Sequence, residues 1–244
     1  MTRIGIIGAA GRMGRAIAEV IAANPNAALG PCVDAGYDAT ALAAEAPDVF
    51  VDYSAPAALA GNLDAARAVG RPIVIGTTGI GLEHHRLIDE AATAIPVLQA
   101  ANTSLGVNLL AHLVRETAAR LGTDWDIEIV EMHHRHKVDA PSGTGLLLGR
   151  AAAEGRHVGL DQVAVRTRDG ITGARPDGAI GFATLRGGSV AGDHQVIFAG
   201  DGERIELGHR AESRAIFAQG AVRAALWLAD KPAGRYAMAD VLGL

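Results

Sequence analysis

The stretch Arg3-Ile4-Gly5-Ile6-Ile7-Gly8-Ala9-Ala10-Gly11-Arg12-Met13-Gly14 decides the fold. An apolar run of strand length feeds straight into three glycines spaced Gly8-x-x-Gly11-x-x-Gly14, and Ala16-Ile17-Ala18-Glu19-Val20-Ile21 then follows with helical patterning. In such a strand–turn–helix the first glycine allows the tight turn. The second lets backbone approach a pyrophosphate, and the third lets the helix pack closely. The spacing departs from GxGxxG by one residue. Asp34 ends the next strand-like segment about 20 residues beyond Gly14, where an acid reaches the adenosine ribose hydroxyls of a dinucleotide. Both signals point to a dinucleotide site.

Outward from this unit, strand and helix patterns alternate. Val49-Phe50-Val51-Asp52-Tyr53, Ile73-Val74-Ile75 and Pro96-Val97-Leu98-Gln99 read as short, nearly continuous apolar strands, as in a parallel sheet covered on both faces. Pro56 to Val69 reads as a helix with Pro56 near its first turn. Gly76-Thr77-Thr78-Gly79 and Ala100-Ala101-Asn102-Thr103-Ser104 follow successive strands, where a doubly wound sheet binds its ligand. Pro31 is awkward inside the second strand and predicts a distortion or an end there.

After about Gly106 the pattern changes. A helix over Asn108 to Leu121 is followed by the strand Ile127 to Met132. Further β-rich stretches are Val163–Thr167, Gly181–Arg186, Gln195–Phe198 and Arg204–Leu207. This run predicts a second α+β domain. Arg214 to Leu228 reads as one helix returning to the first. The expected fold class is α/β, a Rossmann-type doubly wound parallel sheet with a second α+β substrate and oligomerisation domain. The boundaries are 1–105 with 214–244, and 106–213.

Between that strand and a helix lies His133-His134-Arg135-His136-Lys137-Val138-Asp139-Ala140-Pro141-Ser142-Gly143-Thr144. The helix Leu146 to Ala153 takes Ser142 or Thr144 as its cap. Free N–H groups at a helix start, beside three imidazoles and Lys137, suit a site that binds a carboxylate or phosphate and moves a proton. A zinc site is not expected, because Cys32 is the only cysteine and no HExxH or CxxC pattern is present. A solvated basic turn is the plainer reading, and the dinucleotide signals weaken it.

The composition fits an enzyme. The 244 residues are 49% hydrophobic, enough for a substantial core, and the net charge of −5 leaves no footprint for nucleic acid. A single cysteine forms no intramolecular disulfide and fits a reducing cytosol. The start is interrupted by Gly5, Gly8, Gly11, Arg12 and Arg15 and does not read as a signal peptide, and no apolar run of roughly 20 residues is present. The expectation is a soluble, unprocessed cytoplasmic protein without membrane or nucleic-acid partners. Two other classes fit the sequence less well. A different Rossmann-type dehydrogenase using a cysteine nucleophile is disfavoured, because Cys32 comes too early. A non-catalytic nucleotide sensor would not need clustered His133, His134 and Lys137.

Taken together, the glycine loop, Gly76–Gly79, Ala101–Ser104, Glu131 to Thr144, Ile180–Ala183 and Gly220–Leu228 resemble the 4-hydroxy-tetrahydrodipicolinate reductase (dihydrodipicolinate reductase) family over nearly the whole chain. The resemblance implies NAD(P)H-dependent reduction of a cyclic dicarboxylate in diaminopimelate and lysine biosynthesis by a homotetramer. It makes His133 the catalytic acid/base and Lys137 the cationic donor, with His134, Gly143 and Thr144 holding substrate. It assigns Gly8, Ala9, Ala10, Gly11, Arg12, Met13, Asp34, Gly76, Thr77, Thr78, Ala100, Ala101, Asn102 and Thr103 to the cofactor, and implies no metal. Two departures stand out: Thr103 occupies a position where many relatives carry an aromatic residue, and the loop after Asp34 is short. Relatives that accept NADPH well tend to carry arginine directly after the acid. Here that position is Ala35, and Arg12 and Arg15 in the glycine loop and helix start would rescue phosphate binding only in part, so NADH is the expected preference over NADPH by a modest rather than absolute margin.

Overall fold

In the computed structural model, which describes residues 1–37, 45 and 47–244, the first strand β1 (Thr2–Ile7) lies inside a six-stranded sheet. Its neighbours are β2 (Ala27–Val33) on one side and β3 (Val49–Asp52) on the other, followed by β4 (Ile73–Ile75), β5 (Pro96–Gln99) and, at the far edge, β11 (Gly234–Tyr236). All five pairings are parallel. The order reverses at β1, so the crevice that binds ligands in such sheets opens beyond the carboxyl ends of β1 and β3.

Both faces of this sheet are covered. Alternate strand residues point opposite ways, so Ile4, Ile6, Val49, Val51 and Val74 pack with α1 (Arg12–Ala23) and α7 (Ala215–Leu228). Ile7, Phe50, Ile73, Ile75 and Val97 pack with α2 (Leu59–Ala68) and α3 (Leu82–Ala92). Gly14, Ile17 and Ile21 form the buried stripe of α1. The helix expected from Pro56 begins instead as a short 3₁₀ turn, Pro56–Ala58. At the expected distortion, the β1–β2 register shifts between Ile4 and Ile6, leaving Gly30 and Pro31 as an irregularity in an edge strand. Proline is tolerated there because no ladder donor is lost. The loop after Asp34 runs into residues 38–44, outside the described residues.

The chain divides into two units, Met1–Leu105 with Ala215–Leu244, and Gly106–Arg214. The second unit is a mixed five-stranded sheet, ordered β10 (Glu203–Arg210), β9 (Asp193–Gly200), β6 (Asp126–His133), β8 (Ile180–Arg186), β7 (Ala164–Val165). Helices α4 (Leu105–Leu121) and α5 (Gly143–Gly155) contribute Leu110, Val114, Leu148 and Ala152 to a core with Ile127, Ile129, Phe182, Val196 and Phe198 from one sheet face. The strand expected over Val163–Thr167 shrinks to two residues, because α6 (Leu160–Val163) takes up its start.

Candidate active site

In the first unit the candidate cofactor loop is built from backbone. Gly8 follows β1 with φ +86, and a Cβ on it would lie 2.6 Å from the carbonyl oxygen of Tyr53, the residue after β3. Only glycine meets both conditions at low cost. A Cβ on Gly14 would overlap Gly8 and Ala9, so the third glycine lets α1 seat against the loop itself. Gly11 caps α1 with no side-chain hydrogen bond and with extended backbone, leaving the first-turn N–H groups without a side-chain cap. Such a helix start offers donors and a positive dipole end to a pyrophosphate. Asp34, just past β2, accepts the Ala10 N–H on both oxygens at 3.1 and 3.0 Å. The acid and the glycine loop therefore order each other.

The other small-residue segments follow neighbouring parallel strands, with Gly76 after β4 and Ala100 after β5. Thr77 is held by the fully buried Asp52, whose carboxylate also accepts from the backbone N–H and hydroxyl of Ser54 and from Asn62. Thr103 is buried. Its hydroxyl donates to the Phe217 carbonyl at 2.8 Å and accepts from the Tyr53 hydroxyl at 2.8 Å. Burial pushes the Tyr53 phenol up to about 12, so it stays a neutral donor. Thr103 thus anchors an aromatic ring instead of being one. Thr78 and Ala101 are exposed at these strand ends, and Ser104 N–H donates to the Asn102 side chain.

The second unit builds its site from charged side chains. Strand β6 alternates, so Ile127, Ile129, Glu131 and His133 share the covered face. Glu131, 1% exposed, accepts on Oε2 from His133 Nδ1 at 2.5 Å and from one Arg186 nitrogen at 2.9 Å, and on Oε1 from the other Arg186 nitrogen and the Ser142 N–H, both at 3.1 Å. Burial raises this carboxyl, and the hydrogen bonds from Arg186 and His133 outweigh it, holding the group below the ordinary carboxylate value. Ser142 caps α5 by accepting the Gly145 N–H at 2.9 Å, which settles the choice between Ser142 and Thr144. His194 of β9 lies edge-on to His133 with ring centres 5.0 Å apart and shares a hydrogen bond with the Ser142 hydroxyl. Burial and then the neighbouring His133 push His194 down to about 4, so it is neutral near pH 7.

The imidazoles do not converge as a cluster. His133 turns inward to Glu131, whereas His134 shares a hydrogen bond with Arg214 at 3.0 Å, and His136 is exposed with its ring 6.3 Å from that of His134. Strand alternation separates His133 from His134, and the turn after His134 carries His136 outward. Lys137 pairs with Asp139 at 2.7 Å, and Arg186 bonds the Asp139 carbonyl at 2.6 Å, so the loop returns to the same arginine. Gly143 is exposed and Thr144 half-buried at the start of α5. Glu131, Arg186 and His194 received no role from the sequence. The spacing of Glu131 and His133 on a strand was a usable signal, but nothing local announces Arg186 or His194. Donor atoms of Glu131, His133 and His194 lie within 4.8 Å of one another, close enough for a metal ion. Arg186 already places a positive charge on that carboxylate, so the donor set disfavours a second cation.

Residues 2–103 match a family model described as dihydrodipicolinate reductase, N-terminus, and residues 106–242 match one described as dihydrodipicolinate reductase, C-terminus. The chain is 60% identical over 247 residues to a 4-hydroxy-tetrahydrodipicolinate reductase of Zymomonas mobilis, covering 99% of this chain and 97% of that one. It is 49% identical to the protein of that name from Methylocella silvestris, with coverage of 99% and 97%. A dipicolinate-bound dihydrodipicolinate reductase from Paenisporosarcina superposes with TM-score 0.80 at 25% identity over 97% of both chains.

Proposed function

The chain belongs to the dihydrodipicolinate reductase family of NAD(P)H-dependent oxidoreductases, and from that premise we propose that it reduces 4-hydroxy-tetrahydrodipicolinate to tetrahydrodipicolinate in diaminopimelate and lysine biosynthesis. The observation that carries the reading is the pair of family matches along 2–103 and 106–242, in a chain whose two halves separately hold a dinucleotide-type loop and a buried proton-bearing site. A bound nicotinamide dinucleotide supplies the hydride.

The residues present fit that cofactor. The crowding at Gly8 and Gly14 keeps those two positions free of side chains, and the uncapped start of α1 supplies N–H donors to phosphates. Gly8 to Met13 would hold the pyrophosphate, Asp34 the adenosine ribose, and Gly76 to Thr78 with Ala100 to Thr103 the nicotinamide end. The domains are accordingly assigned as 1–105 with 214–244 for cofactor and 106–213 for substrate and oligomerisation. In the second, Lys137, His134 and the helix start at Gly143 and Thr144 hold carboxylates, and His133 delivers the proton.

Asp34 followed by the exposed Ala35 favours NADH, because a carboxylate accepts the ribose hydroxyls and repels a 2′-phosphate that no adjacent arginine would clamp. The open face of the second sheet shows Leu185 at 50% exposure beside the half-buried Val130 and Met132, which supports a homotetramer assembled through it. No helix among the described residues is long and apolar enough to cross a membrane; a cytoplasmic location is part of the same proposal. A coupled assay generating the substrate in situ and following NADH or NADPH oxidation tests the activity, and absence of turnover with both overturns it. A kcat/KM for NADPH equal to or above that for NADH rejects the preference. A monomer by light scattering at micromolar concentration rejects the tetramer.

A further inference from the structure

We infer that Glu131 is a positioning residue for the reduction, holding His133 by Nδ1 so that Nε2 is the atom that exchanges the proton, and tying the same site to the start of α5. The inference rests on the proton-donor reading of His133 and adds to it a carboxylate, an arginine and a helix cap.

The geometry carries it. Glu131 is buried to 1% exposure and every lone-pair direction it offers has a donor: His133 Nδ1 and one Arg186 nitrogen on Oε2, the other Arg186 nitrogen and the Ser142 N–H on Oε1. Arg186 bonds it bidentately, so the carboxylate has its counter-charge whether or not His133 carries a second proton. A carboxylate only accepts, so Nδ1 of His133 is the donor in both states of the ring. The proton that comes and goes is left to Nε2. A Cβ at Gly192 would come within 3.0 Å of Nε2, and glycine keeps that edge of the ring clear. Through Ser142, the same carboxylate fixes the residue that caps α5, whose first amides belong to Gly143 and Thr144. One buried acid therefore sets both the tautomer of the proton donor and the entry of the anion-binding helix.

The alternatives on the page do not account for this arrangement. A purely structural ion pair needs Glu131 and Arg186, but not a histidine at 2.5 Å on an adjacent same-face position. In Glu131→Gln the shape is kept, but an amide N–H₂ faces one of the donors. The neutral ring then turns to the Nε2–H form, whose lone pair lies on Nδ1 against that amide, so Nε2 cannot take up a proton and forming the imidazolium that would donate from Nε2 sets two donors face to face.

The test uses the full chain labelled with ¹⁵N-histidine, the His133 signals being assigned by their loss in His133→Gln. The expected result is neutral His133 as the Nδ1–H tautomer in the unmodified protein. Glu131→Gln is expected to convert it to Nε2–H and lower kcat about tenfold or more. Its KM should rise less than its kcat falls, and its NADH affinity should stay unchanged. Glu131→Asp keeps the charge at shorter reach and should recover part of kcat. Finding the Nε2–H tautomer in the unmodified protein, or Glu131→Gln turnover within about twofold of it, overturns the inference. The tautomer alone decides the matter if Glu131→Gln does not fold. Full activity in His133→Gln would instead overturn the proton-donor reading, whereas its loss beside an active Glu131→Gln overturns only the role of Glu131.

Discussion

The two halves of the molecule build their candidate sites from different materials. The first unit uses what side chains leave out: Gly8 with φ +86, Gly14 seated against the loop, and an uncapped helix start at Gly11. The second uses what side chains add, namely Glu131, Arg186, His133, His194 and Ser142 in one buried network. A phosphate-type ligand carries its own charge, and backbone donors suffice to receive it. Proton delivery needs a titratable ring held in one orientation, and in a buried place that demands satisfied partners. Backbone sites should therefore fail when atoms are added, and the network site when atoms or charges are removed.

The largest expected effect lies in the network. His133→Gln and Lys137→Ala should each lower turnover about 10²- to 10⁴-fold with NADH affinity unchanged. A parallel loss of NADH affinity in calorimetry would break the contrast between the halves.

Acid should next separate them. His194, beside His133, Glu131, His209 and Lys137, has its folded value pushed from 6.5 to about 4, chiefly by burial. Between those values the unfolded chain binds more protons than the folded one, so stability falls as pH drops from about 6.5 toward about 4. The loss should amount to about 3 kcal/mol in the second unit. Urea titrations followed by a probe in that unit check this, and a His194→Gln protein with the same acid sensitivity would discredit the assignment.

Adding atoms to the first unit should cost less. Gly14→Val should weaken NADH binding or unit stability by about 1–3 kcal/mol, because the new carbons meet Gly8 and Ala9 backbone. Met13→Ala, which only removes atoms, should move NADH affinity far less. Equal losses in the two variants would mean that loop side chains matter as much as crowding. The smallest effect is expected at Ala35→Arg, a shift in NADPH over NADH selectivity of about fivefold to tenfold, read from kcat/KM for each cofactor. No shift would remove that position from the adenosine end.

Most of the geometry of the first candidate site was legible because its requirements are local. Gly8, Gly11 and Gly14 stand within one turn and helix start, and the short apolar strands Val49–Asp52, Ile73–Ile75 and Pro96–Gln99 lie where their patterning put them. Even the irregularity at Pro31 was foreshadowed, since proline lacks the donor that a ladder needs. The weak reading was Val163–Thr167, where a short β-branched run gave way to a helical turn.

In the second site the residues that matter meet only through register. Glu131 and His133 are two apart on one strand, a period-two relation visible in the chain. Arg186 is brought beside His133 by the parallel β6–β8 pairing, and His194 beside Glu131 by the antiparallel β6–β9 pairing. A one-residue slip in either pairing would send the partner to the opposite face. The sequence by itself determined the alternating parallel unit, the glycine cradle with Asp34 and the presence of an imidazole and lysine ahead of a helix, because steric and periodic rules act over a few residues. Tertiary structure alone decided that His133 turns inward while His134 and His136 turn away, and that a buried carboxylate, an arginine 55 residues on from it and a neutral histidine hold the site together. Those choices depend on strand pairing between distant segments, which no local pattern encodes.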